Sequence, residues 1–149
     1  MLACAQRAHE RGLVNVLVTN GMVNSEPLAE LLPYIDAANV DVKGFTQRFY
    51  DAVGGSLDTV KRTVEAMARS AHCHLEVTTL VVPGMNDTPD EIAAIAQWLA
   101  ALDPAVPYHV TRFFPCHRLT DRPPTDVRLV RELADIARRH LCHVYVGNC

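Results

Sequence analysis

The stretch HLEVTTLVVPG, residues 74–84, is the longest apolar and β-branched run in the chain, and it decides the fold class. Residues of this kind favour a buried strand. Thr88 and Glu91 follow as a capping-box pattern around Pro89, which predicts the start of a helix. A buried strand that leads directly into a helix is typical of a βα unit in a parallel sheet.

The same alternation of strand and helix extends over the rest of the sequence. No hairpin signal separates neighbouring apolar runs, so each strand is predicted to be followed by a helix and to lie parallel to the next. The predicted strands are 14–19, 35–43, 74–84, 108–114 and 142–147, and the predicted helices are 3–12, 25–34, 46–53, 57–71, 89–102 and 125–140. A complete eight-stranded barrel takes about 250 residues. The 149 residues therefore predict an α/β fold of parallel βα repeats, as an open sheet or as part of a barrel.

Local signals predict how several of these helices begin and which faces they bury. Ser25 and Ser56 are the expected N-caps of the second and fourth helices, and Thr125 is expected to open the last one. One apolar stripe is predicted along the fourth helix at Leu57, Val60, Val64, Met67 and Ala71.

Composition excludes several classes of function. The chain is 49% hydrophobic with a net charge of −3, which predicts an ordered core and no general attraction to nucleic acids or anionic membranes. No run approaches the ~20 apolar residues of a membrane span, and no signal peptide is visible, so a cytoplasmic location is predicted. The five scattered cysteines are expected to be reduced thiols, and no metal site is predicted because neighbouring Cys-His pairs point to opposite faces of a strand.

Polar residues follow the predicted strands where the strands end. In parallel α/β folds the carboxyl ends of the strands form the functional site. Thr19-Asn20-Gly21 is either such a strand end or only a tight turn. Asp41 and Lys43 lie two apart on one strand and so face the same way, either as an ion pair or as ligand contacts.

The segment TDRPPT, residues 120–125, predicts a rigid loop after the fourth strand. Its prolines would fix it close to the site. Asp121 or Arg122 could contact a substrate or could hold the loop through a salt bridge.

Five short motifs, in order and in register over nearly the whole chain, resemble the radical S-adenosylmethionine enzymes of the pyruvate formate-lyase activating enzyme group. The resemblance is strongest to the radical SAM member of the AmmeMemoRadiSam system. The motifs are TNG at 19–21, NVDVK at 39–43, VVPGMND at 81–87, RFFPCHRLTDRPPT at 112–125 and YVGN at 145–148.

The resemblance implies a partial TIM barrel that holds a [4Fe-4S] cluster and binds S-adenosylmethionine, from which a 5'-deoxyadenosyl radical is generated. The cluster cysteines of this family lie in a C-x-x-x-C-x-x-C loop after the first strand, and these 149 residues contain no such motif. Residues 1–149 are therefore expected to be a single segment, the C-terminal five-strand portion of the barrel, inactive alone. The first strands and the cluster loop would come from a missing N-terminal half or from a partner chain, and the substrate is unknown.

Carried over by resemblance, Thr19 and Asn20 lie under the methionine end of the cofactor. Asp41 corresponds to an acidic residue near the ribose, and Lys43 corresponds to a lysine that faces the methionine carboxylate. In relatives an aspartate often precedes the threonine and helps to hold a monovalent cation, and Val18 replaces it here.

Two further cofactor contacts come from the same resemblance. Val82 and its neighbours Val81 and Pro83 correspond to the strand end that packs against adenine. His117 corresponds to a histidine near the cofactor.

Two other interpretations remain open at this stage. Lys43 could be a Schiff-base lysine in an aldolase-like site beside Asp41. The chain could also be a non-catalytic half-barrel or split subunit, and its open sheet edge would then favour self-association.

Overall fold

The computed structural model describes residues 1–149 as six α-helices and one five-stranded sheet. All strand pairs are parallel, and the order in the sheet is the order in the chain, β1-β2-β3-β4-β5. This confirms the predicted fold class. The strands are β1 Val16–Thr19, β2 Ala37–Asp41, β3 His74–Val81, β4 Tyr108–Arg112 and β5 Val144–Gly147, and the helices are α1 Leu2–Glu10, α2 Ser25–Leu31, α3 Gln47–Val53, α4 Leu57–Ala68, α5 Pro89–Leu102 and α6 Val127–Ala137.

The helices cover one face of the sheet. Crossovers between parallel strands are right-handed, so a sheet that always advances in one direction carries its helices on one side. The buried strand residues on that side alternate along each strand and pack against the helices: Ala38, Val40, Leu75, Val77, Thr79, Val81, Tyr108, Val110 and Val144. The core of the chain lies between this face and the helices.

The opposite face of the sheet is exposed or half-buried, and we call it the open face. Successive side chains of a strand point to opposite faces of the sheet, so the residues between the core positions form this surface. The open face consists of Val16, Val18, Ala37, Asn39, Asp41, Lys43, His74, Glu76, Thr78, Leu80, His109, Thr111 and Tyr145. β1 and β5 are the two edges of the sheet. No helix in the structure combines the length and the apolar character that crossing a membrane requires.

Two predicted helix starts and one stripe position are wrong. Asn24, not Ser25, occupies the N-cap position of α2. The N-cap of α6 is Asp126, whose carboxylate accepts a hydrogen bond from the backbone N–H of Arg128 at 2.7 Å. Ala71 is exposed and lies beyond α4, which ends at Ala68, whereas the other stripe residues of α4 pack into the core. Ser56 is the N-cap of α4, as predicted.

The capping box at α5 is half formed. The Thr88 hydroxyl accepts a hydrogen bond from the Glu91 N–H at 3.3 Å, as predicted. The Glu91 carboxylate does not return to the cap residue and instead accepts from the backbone N–H of Phe45 at 2.6 Å. It therefore ties the start of α5 to the loop that follows β2.

α2 is shorter than predicted because its last turn tightens. The predicted helix runs to residue 34, but the α-helix ends at Leu31 and a 3₁₀ turn, Leu32–Tyr34, completes the segment. Pro33 lies within this turn and has no N–H to donate to an α-helical bond.

Candidate functional site

The carboxyl ends of all five strands meet at one edge of the sheet, since every strand is parallel. Thr19 pairs with Val40, and Asp41 pairs with Thr78, so the polar ends of β1, β2 and β3 are neighbours. β4 and β5 continue the same edge through the pairing of Thr111 with Gly147.

Asp41 and Lys43 form an ion pair on the open face. The Lys43 Nζ lies 3.0 Å from Asp41 Oδ2, and the side chains are 39% and 36% exposed. An exposed pair of this kind adds little to stability. The two charges are accessible to a ligand, so the pairing is compatible with both interpretations given above.

The main chain of Lys43 is held from both sides by other residues. Its N–H donates to the Tyr50 hydroxyl at 3.2 Å, and its carbonyl accepts from the Asn86 side-chain amide at 2.6 Å. Burial raises the pKa of Tyr50, so this phenol stays neutral. A Cβ on Gly44 would lie 2.8 Å from the Phe49 ring, which is why this position accommodates glycine. The backbone of Lys43 is therefore fixed while its ammonium faces outward.

Asn86 links the ends of β2 and β3, a role that sequence reasoning missed. It is fully buried and makes three hydrogen bonds to main-chain groups. Its amide donates to the carbonyls of Lys43 and Leu80 at 2.6 and 2.8 Å, and its oxygen accepts from the Val82 N–H at 2.6 Å. In the sequence it lies two residues after Pro83-Gly84 and looks like an ordinary turn residue.

The Thr19-Asn20-Gly21 segment forms a turn at the end of β1. The Thr19 hydroxyl accepts from the Gly21 N–H at 3.2 Å, and the Asn20 side-chain oxygen accepts from the Met22 N–H at 3.0 Å. Gly21 has a φ of +73°, and a Cβ there would lie 3.1 Å from a methyl of Val40. The segment is thus a turn, which is compatible with both interpretations, and Asn20 is exposed directly after the end of β1.

The rigid loop after β4 is held against the end of β3. Arg122 donates to the Pro83 carbonyl at 2.8 Å and pairs with Asp121 at 3.2 Å. The hydrogen bond from Arg122 is the main reason that the pKa of Asp121 is lowered. Through these contacts Asp121 and Arg122 hold the loop against the end of β3. Val82, buried beside Pro83, lies at the strand end that this loop covers.

Thr125 joins the same loop to the ends of β3 and β4. Its hydroxyl donates to the Val81 carbonyl at 2.6 Å and accepts from the Phe113 N–H at 3.2 Å. The Arg112 side chain adds a bond to the Thr125 carbonyl at 2.7 Å. Thr125 is fully buried and its hydroxyl is used in these two hydrogen bonds. It therefore holds the loop, and the next residue, Asp126, caps the helix.

His117 lies apart from these contacts. It is exposed, in the loop after β4, and has a left-handed backbone with a φ of 55°. A bridge between Cys116 and Leu119 closes the loop around it. The structure brings it into no hydrogen bond with Asp41 or Lys43, so only its place after β4 relates it to the predicted site.

A second polar cluster occupies the open face nearer the amino ends of the strands, and sequence reasoning missed it. The Glu76 carboxylate bonds to His74 at 3.1 Å and to His109 at 2.7 Å, and His109 stacks on Tyr145 with 5.3 Å between ring centroids. With His143 these residues line a cavity of about 450 Å³. Partial burial raises the pKa of Glu76, but the hydrogen bonds from His109 and His74 outweigh it and leave the pKa below its ordinary value. The available signal was the alternation of polar residues in β3.

The residues present do not fit an iron-sulfur cluster. All five cysteines are free, Cys73 is buried, and the other four lie on separate exposed parts of the chain. No group of three or more histidine, cysteine, aspartate or glutamate side chains is placed to hold a metal ion. A [4Fe-4S] cluster needs several converging thiolates. By contrast, the Lys43 ammonium can donate hydrogen bonds to the carboxylate of S-adenosylmethionine, and the Asp41 carboxylate can accept hydrogen bonds from its hydroxyls.

Comparison with known sequences finds similarity to a curated protein about twice as long as this chain. No family model matches the chain. It is 36% identical over 143 residues to the uncharacterized protein MJ0808 of Methanocaldococcus jannaschii, a match that covers 95% of this chain and 42% of that protein. The chain thus spans less than half the length of this curated relative.

Comparison with solved structures identifies the fold. The chain is similar to a domain of pyruvate-formate lyase-activating enzyme from Bacteroides vulgatus, with a TM-score of 0.80 and 14% identity over 99% of this chain and 89% of that one. It is also similar to TYW1 with a lysine-pyruvate adduct bound, with a TM-score of 0.63 and 12% identity over 92% of this chain and 44% of that one. Identities this low establish the fold and not the activity. The chain has a partial parallel βα-barrel fold, like that of the activating-enzyme domain.

Proposed function

We propose that this chain is part of a radical SAM enzyme and binds S-adenosylmethionine at the carboxyl edge of its sheet. The observation that carries the proposal is the Asp41–Lys43 pair. Its charged groups stand half-exposed on the open face at 3.0 Å from each other. The backbone that carries Lys43 is fixed by Tyr50 and Asn86. A fixed backbone that presents exposed charges costs little further ordering when a ligand binds.

In this proposal the charged pair divides between two parts of the cofactor. Lys43 binds the methionine carboxylate through a charge-assisted hydrogen bond, and Asp41 accepts hydrogen bonds from the ribose hydroxyls. Adenine packs on the apolar end of β3. The remaining contacts come from the strand end of β1 and the loop after β4, and the full set is Thr19, Asn20, Asp41, Lys43, Val82 and His117.

The cluster half of the enzyme lies outside these 149 residues in this proposal. Bound next to a [4Fe-4S] cluster, S-adenosylmethionine would supply radical chemistry, and Asp41 and Lys43 would hold it there. The cluster ligands would come from further sequence or from a partner chain, consistent with a relative of which this chain covers 42%. The order of the five motifs supports the radical SAM member of the AmmeMemoRadiSam system as the particular family.

Lys43→Met should weaken the binding of S-adenosylhomocysteine about tenfold, which is ~1.4 kcal/mol, the scale of one hydrogen bond to a charged group. S-adenosylhomocysteine keeps the carboxylate, ribose and adenine of the cofactor, and binding can be followed by chemical-shift titration of the chain. The dissociation constants of the two proteins are the measurement.

The chain offers a matched control, because it contains only two lysines. Lys61 lies on α4 with its ammonium over the rings of Phe45 and Trp98, at 5.1 and 5.5 Å from their centroids. Lys61→Met should leave the dissociation constant unchanged. Absence of saturable binding by the unaltered chain, or equal weakening by both variants, would contradict the proposal.

A second candidate function makes Lys43 a Schiff-base lysine for a 2-oxo acid. The structure of TYW1 contains a lysine-pyruvate adduct. In such a reaction the Lys43 amine adds to the keto carbon and water leaves, and Asp41 at 3.0 Å is placed to take or return the proton. The half-exposed position of Lys43 leaves room for a small acid.

Borohydride reduction in the presence of pyruvate should label Lys43 and leave Lys61 nearly unlabelled. Of the two lysines only Lys43 forms an ion pair, and its carboxylate partner lies 3.0 Å from the amine. Borohydride delivers hydride to the C=N bond and makes the link permanent, so peptide mass spectrometry can assign the labelled residue. Equal labelling of the two lysines, or labelling that survives in Lys43→Met, would remove this candidate.

A further inference from the structure

The ladder between β2 and β3 ends just before Lys43. The last paired residues are Asp41 and Thr78, and the last main-chain bond runs from the Val42 N–H to the Thr78 carbonyl at 2.9 Å. Beyond this point the carbonyls of Lys43 and Leu80 accept from the Asn86 side chain and not from the neighbouring strand. Asn86 thus replaces the ladder where the two strands separate.

We propose that Asn86 is a positioning residue that sets the orientation of Lys43 relative to the end of β3. The expected effect of Asn86 on cofactor binding rests on the proposed function. Asn86 is fully buried and its side-chain amide is used in three main-chain hydrogen bonds, so it acts through the residues it holds. Those residues are Lys43 and Val82, which the proposed function assigns to opposite ends of the same cofactor.

The chemistry of the site requires a primary amide at this length. Two carbonyls need donors and one N–H needs an acceptor, and the asparagine side chain supplies all three in one planar group. Aspartate would keep the acceptor and lose both donors. An apolar residue would leave three buried main-chain groups without partners, each a destabilising change.

The turn before Asn86 places its side chain between the ends of β2 and β3. The Met85 N–H donates to the Val82 carbonyl at 3.1 Å, and Gly84 between them has a φ of +73°. A left-handed residue is readily supplied by glycine. The chain therefore folds back after β3 and returns the Asn86 side chain to the strand it has just left.

The test observes Lys43 directly, without any ligand. Reductive methylation with ¹³C-formaldehyde keeps the charge of a lysine and gives a separate NMR signal for each of the two lysines of this chain. In Asn86→Ala the Lys43 signal should change in chemical shift and the Lys61 signal should not. Thr63→Val serves as the control for destabilisation alone, because Thr63 is also buried and bonds the Gly21 carbonyl at 2.8 Å, away from Lys43.

A Lys43 signal that is the same in Asn86→Ala and the unaltered chain would overturn the inference. If Asn86→Ala does not fold, Asn86→Asp gives the same decision, because it retains the acceptor for Val82 and loses the donors to Lys43. S-adenosylhomocysteine titration of the same samples separates the two proposals. A shifted Lys43 signal with about tenfold weaker binding supports both, whereas a shifted signal in a chain that binds no S-adenosylhomocysteine supports the positioning role and refutes the proposed function.

Discussion

Replacing Thr125 with valine should lower the free energy of unfolding by about 3 kcal/mol. The substitution keeps the size of the side chain but leaves the Val81 carbonyl and the Phe113 N–H without their hydroxyl partner. A buried polar group that loses its partner costs about 1 to 3 kcal/mol. The melting temperature should fall by roughly 6 to 12 °C for a chain of this size, and urea unfolding with calorimetry would measure both quantities.

The loop itself supplies the control for this prediction. Thr120 stands at the other end of the same loop and is exposed. Thr120→Val should change the free energy of unfolding by no more than about 0.5 kcal/mol. Similar losses in the two variants would show that the loop does not depend on the buried hydroxyl.

The purified 149-residue chain should produce no 5'-deoxyadenosine from S-adenosylmethionine after anaerobic reconstitution with iron and sulfide. The reason is the distribution of its thiols, since five free cysteines on separate parts of the chain do not converge on one point. A site-bound [4Fe-4S] cluster needs such convergence. Chromatography of the reaction products under a chemical reductant is the measurement.

A radical SAM enzyme with an intact C-x-x-x-C-x-x-C motif, reconstituted in parallel, controls for the reagents. Reductive cleavage by the isolated chain above the level without protein would refute the prediction. It would also mean that cysteines that do not form a metal-holding group in this structure come together on reconstitution.

The fold was predictable because its determinants are local and periodic. Alternation in HLEVTTLVVPG and helical spacing in the segment after Thr88 each describe one element, and the absence of hairpin signals makes the sheet parallel. The shared face of Asp41 and Lys43 follows from the same period of two, and their ion pair is present in the structure. The ends of the elements were less predictable. The N-cap position can fall on either of two adjacent polar residues, and in α2 it falls on Asn24 and not on Ser25.

The residues that hold the candidate site together were not predictable in this way. Asn86 looks like a turn asparagine and Thr125 looks like a helix start, and both acquire their roles from strands more than thirty-five residues away in the chain. The cluster of Glu76, His109 and Tyr145 was missed for the same reason, because three separate strands contribute to it. Local pattern cannot specify contacts that only the packed sheet creates.

The order of the strands has a consequence for how this architecture can be assembled and divided. Every strand lies beside the strand that precedes it in the chain. Each strand therefore pairs with a neighbour in sequence, and each new βα unit adds to the edge strand of the unit before it. Contacts of this kind are nearly one-dimensional, as in repeat proteins, and the cost of closing long loops stays small. The sheet can therefore be lengthened or shortened by one unit at either end without rethreading the strands that remain.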